Sequence, residues 1–354
     1  MNLGRWILAL TLLLGCAEAA MAQQSKAPVF HVFGGWAYGK TDGNNYLAGT
    51  HAGSFDNASL ALNVSDAPLE NLRLEGQLFV ARDQGTNELL IDFAFAEWRI
   101  SDALRLRAGK IKHPFGIYNE VYEVGTLRPF FALPQSEYGP VGVLAEGYSG
   151  VGVSGTRRMG SSWSLQYDAY FGSLNLPFND FNVEGHRGAR EQHDLNVKEV
   201  LGGRVVFDTP VEGLSFGGSA YRGKIAAGAV TLRHSAGGMQ FEYLTDRISL
   251  RTEWTRVETG DDTEHAAYVE SAYRFTPHWQ GAARYDFLRE NDARSDLGRH
   301  REKALGINYW FTPQFVLKLS AHEIDGLHLS HADAGTSAVK PKTRLLMFGA
   351  QFSF

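Results

Sequence analysis

A closed antiparallel β-barrel that crosses a membrane, with about sixteen strands, is the fold class this sequence predicts. Three observations carry the prediction. Stretches of roughly ten residues alternate apolar and polar side chains along the chain. Short turns alternate with longer polar connections, as they do where one end of a barrel faces the inside of the cell and the other the outside. The alternating strands put charge on one face and apolar or aromatic groups on the other, and no segment past the N-terminus reaches the ~20 apolar residues of a membrane helix. Only helices and closed barrels satisfy every backbone group in lipid, so the strands must close on themselves.

The first element is an export signal, residues 1–22. Arg5 precedes an apolar run over 7–14, and Ala20-Met21-Ala22 supplies the small residues a signal peptidase reads, which makes Gln23 the first mature residue. A second reading attaches lipid to Cys16 through Leu13-Leu14-Gly15-Cys16. Cys16 is the only cysteine, so cleavage after Ala22 leaves none. That removes a disulfide framework, thiolate catalysis and cysteine metal sites from consideration. A net charge of −5 argues against nucleic-acid binding.

The mature chain, 23–354, reads as one barrel domain. Its strands fall near 30–40, 54–65, 71–82, 88–100, 104–112, 148–158, 161–172, 198–208, 214–223, 238–245, 247–257, 264–275, 278–288, 302–311, 314–324 and 343–354. The turns near 101–103, 159–160, 209–213, 245–246, 276–277 and 312–313 are short. The connections over 41–53, 113–146, 173–197, 224–237, 289–301 and 325–342 are longer and polar. Face patterns agree. Over 314–324, Phe315, Leu317, Leu319 and Ala321 oppose Lys318, Ser320 and His322; over 247–257, Ile248, Leu250 and Trp254 oppose Arg251, Glu253 and Thr255. A charged inner face under an apolar outer one implies a wet interior. Trp36, Trp98, Trp163, Trp254 and Trp279 are expected at the membrane interfaces.

The connection over 113–146 stands apart. Loops beyond ~12–15 residues are usually functional or disordered, and this one holds Phe115, Tyr118, Tyr122, Phe130, Phe131 and Tyr138, with prolines at 114, 129, 134 and 140. Such a composition packs against something.

The last strand places Leu346, Phe348, Ala350, Phe352 and Phe354 on one face and ends on the C-terminal phenylalanine. In this it resembles the outer-membrane porins of Gram-negative bacteria, where such a strand is the signal read by the barrel insertion machinery. The stretch Arg107-Ala-Gly-Lys-Ile-Lys-His-Pro-Phe-Gly-Ile-Tyr-Asn-Glu120, followed by Arg128-Pro-Phe130 and by Leu133 to Tyr138, is similar to the strand-and-loop block of porin-like proteins related at fold level to phosphate-selective and general porins. The resemblance implies that the loop after the fifth strand folds inward and narrows the pore. It also implies a homotrimer in outer-membrane lipid that passes small hydrophilic solutes or ions.

If 101–103 is a tight turn, Arg99 opposes Arg105 and Glu97 opposes Arg107 on the lumen face. These, with Lys112, His113, Glu120, Glu123, Arg128 and Glu137 on the loop side, are the candidate constriction residues. Clustered charge at a narrow wet point is how pores choose ions, although the same charges would also serve to tie the loop down. The arginines lean the reading toward anionic solutes.

Two further readings compete. His328, Ser330 and His331 have the residue types of a phospholipase-like enzyme but show no oriented triad. A structural or adhesion barrel would have its lumen filled. The histidine-rich run from His322 to Asp333 lacks a fixed ligand spacing, so no metal and no cofactor is expected. The sequence predicts a channel rather than an enzyme.

Overall fold

The computed structural model describes residues 27–47, 49–83, 86–138, 143–160, 162–179, 192–227, 230–290, 299–327 and 340–354. The signal segment and Cys16 lie outside them, as do His328, Ser330, His331 and Asp333. The chain opens with β1 (Val29–Thr41), a two-residue β2 (Gly49–Thr50), β3 (Ser54–Leu69), β4 (Leu72–Asp83), β5 (Thr86–Ser101) and β6 (Leu104–Lys112). After the long loop come β7 (Gly147–Met159), β8 (Trp163–Asn179), β9 (Gln192–Asp208), β10 (Leu214–Ala227), β11 (Val230–Leu244) and β12 (Ile248–Thr259). The last five are β13 (Asp262–Arg274), β14 (Trp279–Glu290), β15 (Arg299–Thr312), β16 (Phe315–Asp325) and β17 (Lys342–Ser353).

Each long strand pairs antiparallel with the next, and β1 closes the wall on β17 through Trp36↔Ala350 and Tyr38↔Phe348. Short β2 only flanks β1 in parallel at Gly39↔Gly49. The wall is therefore a closed barrel of sixteen long strands, with five of them before the long loop.

Side chains alternate across this wall as the sequence pattern requires. On β16, Leu319 is 41% exposed while its neighbours Lys318 and Ser320 are 2% and 4% exposed, which assigns the apolar row to the outside and the polar row to the inside. The tryptophans at 36, 98, 163, 254 and 279 are all exposed. Trp36 sits edge-on to Phe348 at 5.8 Å across the closing seam.

The lengths of the outer connections depart from expectation. The span 224–237 reads in sequence as a long polar loop, yet β10 and β11 stay paired through Lys224↔Arg233 to Ala227↔Val230. Likewise β12 and β13 pair as far as Thr259↔Asp262, with Gly260 (φ +62) in the turn. At these outer ends Arg222 and Lys224 are exposed while Tyr221 and Ile225 are buried, so the charged row faces outward and the apolar row inward, the reverse of the membrane band, and the ladder of hydrogen bonds continues through the reversal.

Candidate functional site

The 113–146 loop leaves β6, crosses the barrel interior and rejoins the wall at β7. Within it, short 3-10 turns cover Asn119–Val121 and Gly125–Leu127, and a single α-helical turn, α1, covers Gln135–Tyr138. Its rings are the reason it is ordered. Phe115, Tyr118 and Phe130 are each 1% exposed, and burial of such side chains stabilises by roughly 1.5–3 kcal/mol apiece.

Backbone geometry lets the loop come close to the wall. Gly116 has φ +71, and a Cβ there would stand 2.3 Å from both Glu253 Oε1 and the Tyr138 hydroxyl. Only glycine adopts that conformation and leaves that space free.

Most polar ties run to the wall formed by β12 to β17. The Tyr138 hydroxyl donates to Glu253 Oε2 (2.5 Å) and accepts from the backbone N–H groups of Ile117 (2.9 Å) and Tyr118 (3.1 Å). Tyr118 donates to Glu270 Oε1 (2.5 Å), and Arg251 stacks over its ring at 5.2 Å. Gln135 N–H donates to Asp286 Oδ2 (2.6 Å) at the start of α1. Arg284 donates to the Ala132 carbonyl (2.8 Å) and lies 4.7 Å over Phe130. Asn308 Nδ2 reaches the Pro129 carbonyl (2.8 Å), and Lys318 Nζ reaches those of Gly125 (2.7 Å) and Arg128 (2.6 Å). These wall groups match backbone donors and acceptors that a loop crossing a barrel leaves unpaired.

At its two ends the loop is tied by a second set of contacts. Lys112 pairs with Asp92 (2.8 Å), Glu123 (2.6 Å) and Glu146. Glu146 is only half-buried, its side chain 42% exposed, and the partial loss of water around it pushes its carboxyl up to about 7; Lys112 opposes the rise and Glu123 adds to it. His113 is fully buried, and burial drives its imidazole down to about 3. It is therefore neutral, bridging the Ala145 carbonyl (3.0 Å) and the Tyr170 hydroxyl (2.6 Å).

The candidate constriction residues are distributed unevenly. Glu97 pairs with Arg107 (2.7 Å) across β5 and β6, and Arg107 lies 4.0 Å from Asp168. Glu120 meets Arg204 (2.5 Å), which also holds Asp168 (2.9 Å), rather than any arginine of β6. Arg128 turns inward on its own loop and donates to the carbonyls of Tyr122 and Phe131. Glu137 is fully buried; burial and the nearby Glu253 push its carboxyl well above the usual range. Arg99 and Arg105 face one another directly on the lumen side, beside the 101–103 turn. Among the described residues no carboxylate lies within ion-pair reach of either arginine.

The sequence alone places Arg251, Glu253 and Lys318 on the inner face without connecting them to the loop. Asp92, Glu146, Asn308 and Gln351 it did not single out. The available signal was the loop's own tyrosines, which need hydroxyl partners once buried.

Residues 215–354 match the family model of phosphate-selective porin O and P. The anion-selective porin from Comamonas acidovorans superposes with a TM-score of 0.61 at 12% identity, over 94% of this chain and 100% of that one. The outer membrane channel DcaP of Acinetobacter baumannii gives 0.58 at 10% identity, over 94% and 99%. OmpF of Salmonella typhi, solved with daunomycin, gives 0.57 at 12%, over 92% and 97%. Among curated protein sequences none matches. At these identities the likeness is one of fold, and the fold is that of an outer-membrane porin.

Proposed function

We propose that this porin-like barrel of the bacterial outer membrane is a passive diffusion channel that favours small inorganic anions, phosphate among them, and that the 113–146 loop is its constriction. The observation that carries the reading is the pair Arg99 and Arg105. They stand opposite one another on the lumen face with no carboxylate in reach among the described residues. Like charges directly opposite across a ladder repel, and a pair kept in a wet lumen attracts mobile anions. The family match over 215–354 and the likeness to an anion-selective porin support the same choice.

The loop's ties favour β12 to β17, which directs solute traffic toward the opposite wall of β3 to β6. Glu97, Arg107, Lys112 and Glu123 sit where the loop meets that side of the barrel, while Glu120 meets Arg204 on β9. In this reading Arg128, Glu137 and His113 hold the loop's shape and do not meet solute.

Cleavage after Ala22 releases the mature chain. The outward row of Leu346, Phe348, Phe352 and Phe354 serves as the insertion signal, and the barrel assembles as a homotrimer, as OmpT of Vibrio cholerae does in its trimer form.

Flux across proteoliposomes tests the proposal. Phosphate and chloride should leave preloaded vesicles faster than potassium or sodium of similar size. Leakage at the rate of protein-free vesicles would favour the structural-barrel reading, to which the dense ties of the loop also lend themselves.

A further inference from the structure

On the inner face of β14 and β15 a second polar cluster lies beneath the loop. Asp286 and Glu302 are direct cross-strand partners, and His300 lies two residues before Glu302 on the same face. Each offers one donor atom, and the three donor atoms fall within 4.8 Å of one another. All three side chains are fully buried.

His300 is the anomaly in this cluster. Neither of its ring nitrogens has a hydrogen-bond partner, although the imidazole is completely enclosed and stacked on Tyr46 at 5.9 Å. A buried imidazole without a partner loses its hydration and gains nothing in return. Its Nε2 stands 3.8 Å from Glu302 Oε2, too far for a hydrogen bond. That spacing suits two ligands of one ion, since metal–ligand bonds of about 2.0–2.1 Å put neighbouring donor atoms about 3–4 Å apart.

The surroundings resemble the outer partners of a metal centre. Glu302 is oriented by Tyr46, by Arg284 Nη2 (3.0 Å) and by His322 Nδ1 (2.7 Å), whose Nε2 is fixed in turn by Ser320 (2.7 Å). Such second contacts hold ligands in place. Asp286 accepts the backbone N–H groups of Gln135 (2.6 Å) and Ser136 (3.3 Å). Arg284 pairs with Glu270 (3.4 Å) and Glu302 (3.0 Å), whereas Asp286 forms no ion pair among the described residues, and a dication offsets that unpaired carboxylate.

We infer that Asp286, His300 and Glu302 bind one divalent transition-metal cation on the inner wall, where it bridges β14 and β15. The mixed imidazole and carboxylate donors suit zinc, iron(II) or manganese, and zinc is the simplest probe. Binding stands independently of whether the barrel conducts.

The test uses the mature chain folded in detergent, stripped with a chelator, dialysed against micromolar zinc chloride and desalted, with retained zinc measured by mass spectrometry. The expected result is one zinc per chain in the wild type and in the outer-loop variant His328→Ala/His331→Ala, with at least tenfold weaker retention in His300→Gln. Wild-type barrel that retains no zinc, or His300→Gln that retains it undiminished, overturns the inference. Should His300→Gln fail to fold, zinc-edge X-ray absorption of the wild type decides the matter. One nitrogen with oxygen ligands supports the site, and a shell of two or more imidazoles refutes it.

Discussion

The ammonium of Lys318 on β16 donates to the backbone carbonyl of Arg128 at 2.6 Å, joining one wall of the barrel to the middle of the loop that crosses it. The same nitrogen reaches Gly125 (2.7 Å), Phe130 (3.2 Å) and the side chain of Gln351 (2.6 Å), so a single buried cation gathers three loop carbonyls. Lys318→Met removes the charge and strands those acceptors. Breaking a buried charged contact costs about 3–5 kcal/mol, and the loop should detach locally. The expected outcome is chymotryptic cleavage between residues 113 and 146 in the folded variant, at sites protected in the wild type. Equal protection would show that the loop's rings hold it unaided.

Tyr138 connects the loop to itself and to β12. Its hydroxyl donates to Glu253 and accepts from the N–H groups of Ile117 and Tyr118. Tyr138→Phe leaves buried polar groups with fewer partners, at a cost of about 1–3 kcal/mol. Urea unfolding followed by gel mobility should show a lower midpoint than wild type. An unchanged midpoint would mean that the loop contributes nothing to barrel stability.

A pH response follows from Glu146. Its carboxyl is raised to about 7 in the folded chain, above its value in an unfolded one. Folding therefore favours the protonated form, and the resulting stabilisation is complete below the ordinary carboxylate range and is lost as pH rises through about 7. Above that pH the Lys112 cluster carries one more negative charge beside Glu123 and Asp92. The cation-to-anion permeability ratio should rise with a midpoint near 7, and Glu146→Gln should flatten the response. A ratio that does not change between pH 5 and 9 would contradict this.

The barrel was legible in the sequence because its signal is local. Alternation at period two along Lys318, Ser320 and His322 reports the inner face of β16 without knowledge of any other strand. The outer ends of β10 and β11 were not legible, since there Arg222 and Lys224 face outward and Tyr221 and Ile225 inward, which reverses the alternation of the membrane band. Within the site, Glu97 and Arg107 followed from a tight turn and cross-strand register. The loop's partners did not, because Lys318 and Arg128 lie 190 residues apart in sequence and no short-range pattern joins them. The same holds for the pairing of Glu120 with Arg204, where proximity in sequence favoured the arginines of β6. His300 gave no signal at all, being an isolated histidine whose meaning depends on its neighbours in the folded wall.

Arg99 and Arg105 set the anion preference of the proposed channel, and single-channel recording in planar bilayers tests their role most directly. In a tenfold potassium chloride gradient the wild type should open steadily with a reversal potential of the sign for chloride. Arg99→Ala/Arg105→Ala should keep the conducting state and move that potential toward the potassium value. Folded protein that passes no current would contradict the channel itself, and an unmoved reversal potential in the double variant would contradict the role assigned to the arginine pair.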